Sequence, residues 1–166
     1  MENGHYQLLV DRKPYIVRGV CYNPIEIGDG QDSDFWADSR KPWDIDGALM
    51  KKAGINTVRF YQPGDTVEAT RKVINDLYSR YGIRTIMGHW LGFWNYPVPF
   101  YADKEFRDKI KADVLHMVTS LKDEPGILLW VLGNENNYSF AGRVNAWSSD
   151  EIDALGDPFV LQNLIK

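Results

Sequence analysis

Gly126-Ile127-Leu128-Leu129-Trp130-Val131-Leu132-Gly133-Asn134-Glu135-Asn136 is an apolar run that ends abruptly in polar side chains. Near-continuous apolar character without alternation belongs to a parallel strand covered on both faces, and Gly133 breaks the run just before Asn134 and Glu135. The stretch reads as a buried strand that delivers a carboxylate to its C-terminal tip, where α/β barrels carry their catalytic groups. Taken alone, it fits equally well a structural Glu on a solvated loop.

Working outward, three more β-type runs come before it, Tyr15 to Cys21, Ile55 to Tyr61 and Ile83 to His89. Helical periodicity fills each interval. Trp43 to Ala53 places Ile45, Leu49 and Met50 on one face, and Val67 to Tyr81 does the same with Val67, Ile74, Leu77, Tyr78 and Tyr81. Gly54 and Gly82 follow as helix ends. A third helix, about Lys104 to Lys122, turns Phe106, Ile110, Val114, Met117, Val118 and Leu121 inward behind an Asp103 N-cap. The βα repeat predicts four parallel, adjacent strands. Tyr6 to Val10, the Asp11-Arg12-Lys13-Pro14 turn and the first run predict an antiparallel hairpin ahead of them.

Past Glu135 the pattern weakens to a capping box at Ser148-Ser149-Asp150-Glu151 and the beginning of a helix over Phe159 to Lys166. A closed (β/α)8 barrel needs ~200 residues or more, so the expectation for residues 1–166 is an α/β chain of TIM-barrel type. About its first four βα units, the N-terminal half, would be present.

Composition narrows the function classes. A net charge of −4 with no Lys/Arg stripe argues against a nucleic-acid surface. No apolar window of ~18 residues predicts a membrane segment, and Met1-Glu2-Asn3-Gly4-His5 lacks the basic-then-apolar order of a signal peptide. Cys21, the single cysteine, reads as a small core residue. His5, His89 and His116 are scattered without metal-ligand spacing, and no Gly-rich strand-to-helix turn suits a phosphate, so neither cofactor nor metal is expected. Asn137-Tyr138-Ser139 matches a glycosylation acceptor, but a glycan there would obstruct the site at Glu135, so the match reads as chance.

Aromatic residues are the outlier, with six Trp, nine Tyr and seven Phe. Many lie in loop-like segments, among them Phe35-Trp36, Trp90, Phe93-Trp94, Tyr96, Phe100-Tyr101, Tyr138 and Trp147. Flat rings with polar tips suit the C–H faces and hydroxyl rims of sugars, while about half such residues should simply cover the core. The loops after strands, 22–42 and 90–103, are long and the returns are tight, which marks the strand C-termini as the functional face. Each tip offers a polar group: Tyr22 and Asn23, then Arg59 and Tyr61, then His89 with Trp90, then Asn134 and Glu135. Arg59 interrupts an apolar strand and would need a carboxylate partner to offset its desolvation. His89 orients a substrate hydroxyl or a carboxylate, or else simply bonds a loop.

Three segments together, Lys13-Pro14-Tyr15-Ile16-Val17-Arg18-Gly19-Val20, Met50 to Tyr61 and Trp130 to Glu135, resemble the catalytic barrel of clan A glycoside hydrolases. The TIM-barrel domain of glycoside hydrolase family 2 and the related glucanosyltransferases are most similar. The resemblance implies retaining hydrolysis of O-glycosyl bonds, or transfer, on an oligo- or polysaccharide. It makes Glu135 the general acid/base, Asn134 the partner of the sugar 2-hydroxyl, and Arg59 a neighbour of the nucleophile. Tyr22, Tyr61, His89 and Trp90 complete the expected substrate-contacting set. That family places its nucleophilic Glu at the end of a seventh strand, which has no counterpart in this sequence, so the missing half barrel or a second copy is the expected partner. A non-catalytic carbohydrate-binding or half-barrel scaffold is the rival reading.

Overall fold

Four short apolar segments pair side by side in chain order. The computed structural model describes residues 4, 6–30, 33–92 and 103–134. Strands β3 (Gly19–Cys21), β4 (Thr57–Phe60), β5 (Arg84–His89) and β6 (Ile127–Leu132) form a parallel sheet in the order β3-β4-β5-β6. Ahead of it, β1 (Leu9–Val10) and β2 (Lys13–Pro14) make a separate antiparallel hairpin. Helices α1 (Pro42–Lys52), α2 (Val67–Tyr81) and α3 (Lys104–Leu121) alternate with the strands. The sequence expectation of a mixed α/β chain with a leading hairpin is met at this level, although Lys13–Pro14, expected in the hairpin's turn, forms its second strand.

Side chains alternate across a strand, and the two faces of this sheet have different fates. Val58, Phe60 and Met87 point into a core closed by Trp43 of α1, Val73, Ile74 and Leu77 of α2, and Met117 and Leu121 of α3. Opposite, the Cys21, Arg59, Ile86 and Leu129 positions lie in one row across the sheet. No described helix covers that row, and Leu129 and Val131 are only half-buried. The apolar run of β6 is thus packed on one face among the described residues.

Local chemistry sets the ends of the elements. Thr66 caps α2 by accepting from the Ala69 N–H at 3.2 Å, and Gly82 closes it in the left-handed region at φ 71°. Asp103 caps α3 through the Glu105 N–H. Glu124 accepts from Arg71 Nε at 2.6 Å and Asn75 Nδ2 at 2.9 Å, fastening α2 to the turn before β6.

Several expectations need correction. Residues 15–18 are not strand, because the Asn56 side chain replaces a ladder there: it donates to the Ile16 carbonyl at 2.9 Å and accepts from the Arg18 N–H at 2.9 Å. The inner stripe of α1 is Trp43, Gly47 and Met50, leaving Ile45 68 % and Leu49 60 % exposed. Tyr81 decides this, since a Cβ on Gly47 would lie 2.6 Å from its ring, so only a glycine lets the helices approach on that side. Cys21 is exposed rather than buried, because its place in the strand puts it on the face that no described helix covers. Phe35 and Trp36, in a single 3-10 turn, stack into the core against Phe60 and are not free platforms. The capping box at Ser148 to Glu151, the helix from Phe159, the acceptor at Asn137, and the aromatics Phe93, Trp94, Tyr96, Phe100, Tyr101, Tyr138 and Trp147 lie outside the described residues.

Candidate functional site

Arg59 is the only charged residue of β4, and two neighbours account for its place there. Its Nη2 donates to Asn134 Oδ1 at 3.0 Å, a bond that joins two strand tips 75 residues apart in the chain. Its guanidinium carbon stands 4.7 Å from the centroid of Tyr61, two residues on and therefore on the same face. Tyr61 in turn meets Trp90, ring to ring, at 6.4 Å. The expected carboxylate partner is absent among the described residues, where an amide and an aromatic face share the cation instead. Arg59 Nε is buried with no hydrogen-bond partner among those residues, a donor whose desolvation is not yet offset.

Two glycines make the cluster possible. Gly133, at φ 90°, ends β6 in a conformation costly for any other residue and carries the chain back toward Arg59 at Asn134. Its N–H is held by the His89 carbonyl at 2.8 Å. At Gly88 the neighbouring strand passes unusually close: a Cβ would come within 2.5 Å of the Phe60 carbonyl oxygen and 2.7 Å of that of Tyr61. The bare backbone at 88 lets Tyr61 cross there and reach the space beneath Arg59. Sequence reasoning passed over Gly88; the signal was a glycine inside an apolar strand, which marks close backbone approach.

Of the residues expected at the site, Arg59, Tyr61, Trp90 and Asn134 are brought together. Tyr22 and His89 are turned to the other face of the sheet, because strand alternation gives them the parity of Phe60 and Met87. The Tyr22 ring packs edge-on against Phe35 and Phe60, and its hydroxyl donates to Asp46 Oδ2 on α1 at 2.7 Å. Burial, then the bond to Asp46 and its charge, push the phenol well above its ordinary range, so it stays protonated. Tyr22 still borders a cleft of about 210 Å³ with Asn23, Asp34, Trp36, Tyr61 and Trp90. His89 Nδ1 accepts from the Leu91 N–H at 3.0 Å. Burial lowers its pKa while the Asp113 charge pulls the other way. Glu135 lies outside the described residues.

No family model, no curated protein and no solved structure matches this chain. Among the described residues no group of His, Cys, Asp and Glu is arranged to hold a metal ion, and no helix is long and apolar enough to cross a membrane. The Arg59 cluster can hold a neutral polar ligand through its aromatic faces and amide, or order an anionic group beside the guanidinium.

Proposed function

We propose that the chain is the N-terminal half of a (β/α)8 barrel of glycoside hydrolase type, with Glu135 as the acid/base of a retaining glycosidase. The observation that carries this reading is the Arg59–Asn134 bond, which sets the residue preceding Glu135 beside a cation at the tip of a parallel sheet. Arg59 Nε, a buried donor, suits a carboxylate acceptor. Tyr61 and Trp90 supply the flat apolar surfaces that sugar rings stack on.

In this mechanism Glu135 protonates the glycosidic oxygen and later deprotonates water, or a sugar hydroxyl in the transglycosylase variant. A retaining enzyme needs a second carboxylate ~5–5.5 Å away as nucleophile. None of the described strands carries an acidic residue. A nucleophile at a strand tip would therefore come from outside the described strands, in the completing half barrel or a second copy. The sheet face that no described helix covers, and the exposed Ile45 and Leu49 on α1, support such a partner. They equally favour the second reading, a non-catalytic half-barrel module that binds saccharide.

The test is turnover of saccharides and of activated aryl glycosides by the complete protein and its Glu135→Ala variant. The variant should lose roughly 10²- to 10⁴-fold on natural saccharides, less on aryl glycosides, and regain turnover with azide. Unchanged hydrolysis in Glu135→Ala would overturn the assignment, whereas saccharide binding without turnover in the complete protein would favour the binding module.

A further inference from the structure

Behind the sheet, between the tip of β5, the β4–α2 turn and the middle of α3, is a cavity of about 290 Å³ that no residue of the Arg59 cluster lines. A second cavity of about 220 Å³ shares Gln62, His89 and Asp113 with it, but reaches Trp90 of the Arg59 cluster and Lys109, and so is not part of the site proposed below. His89 is 8 % exposed. With Nδ1 occupied as an acceptor, the neutral imidazole carries its proton on Nε2, and among the described residues that N–H has no acceptor. The Asp113 carboxylate borders both cavities and has only a loose 3.9 Å contact with Lys109. Gln62 adds an amide, and Val67, Met117 and Leu121 give the larger cavity an apolar wall.

A hydroxyl group accepts from an N–H and donates to a carboxylate at the same time. An ammonium cannot do the first, and an anion in the larger cavity would meet the charges of Asp65 and Asp113 with no Lys or Arg in its lining. We propose that this cavity is a second binding site, separate from the Arg59 cluster, for a small polyhydroxylated molecule of polyol or monosaccharide size. His89 Nε2–H and Asp113 hold one hydroxyl between them, Gln62 takes a neighbouring one, and the C–H face rests on Met117. The site does not depend on the glycosidase reading.

The experiment labels the methionine methyl groups with carbon-13 and titrates the protein with glycerol and then with glucose, following Met117 at the cavity and Met50 on α1 as the internal control. A saturable shift of Met117, with Met50 unmoved, is expected. Asp113→Asn should weaken it roughly tenfold, since a charged acceptor is replaced by a neutral amide oxygen. Glu135→Ala should leave it unchanged, which separates this site from the proposed catalytic one. His89→Leu should abolish it; should that variant not fold, Asp113→Asn decides alone, because its side chain is half exposed on α3. No saturable shift with either compound, or an unchanged midpoint in Asp113→Asn, would overturn the proposal.

Discussion

Gly88→Ala tests whether the crossing of β4 and β5 is as close as the fold requires. A methyl group at 88 would lie 2.5 Å from the Phe60 oxygen, 2.7 Å from the Tyr61 oxygen and 2.9 Å from the Tyr61 carbonyl carbon. All three are backbone atoms, so no side chain can rotate away. Restoring an ordinary 3.4 Å contact moves one strand about 0.9 Å from the other. Overpacking costs typically 1–3 kcal/mol, and an obstacle made of backbone belongs at the upper end, about 3 kcal/mol. For a chain of this size that lowers Tm by roughly 6–12 °C. Thermal unfolding followed by circular dichroism reads it directly. Gly19→Ala is the control, because its methyl would meet the Thr57 carbonyl oxygen at 3.2 Å and the tip of Val17 at 3.3 Å, a contact relieved by a few tenths of an ångström. Equal, small shifts in the two variants would refute the close crossing and the account of how Tyr61 reaches Arg59.

His89 should make stability fall on acidification between about pH 6.5 and its lower folded-state pKa. Its pKa is depressed in the fold, so the unfolded chain takes up the proton first; stability is full above the unfolded value and is lost as pH falls through the folded one. Urea unfolding across pH 5–7 should show this slope in the parent and a flatter one in His89→Gln, at most ~1.4 kcal/mol per pH unit apart. Glu124→Ala removes the acceptor of both Arg71 and Asn75. With Arg71 partly exposed and screened, a loss of about 1–2 kcal/mol in denaturant titrations is expected, and an unchanged midpoint would show that α2 is held to β6 by apolar packing alone.

Residues 67–81 could be read as a helix to the residue, because α2 combines a threonine cap, a full apolar stripe and a terminal glycine, all local signals. The four strands were legible for the same reason: apolar runs separated by helical periodicity leave few arrangements other than parallel neighbours. Local sequence also brought out Arg59 and Asn134 as unusual, since each is a polar residue in or directly after an apolar strand. Which residues share a face was decided elsewhere. The stripe of α1 depends on the Tyr81 ring meeting Gly47, and the extended look of 15–18 yields to the Asn56 amide, both contacts between segments more than thirty residues apart. Tyr22 and His89 stood at strand tips as convincingly as Arg59 did, yet strand parity turned them into the helix layer, where Asp46 and the Leu91 N–H hold them. The elements and their order were written locally, because periodicity and caps act within a few residues. Which polar groups meet was settled by the assembled sheet, because a one-residue change of parity moves a side chain to the opposite face.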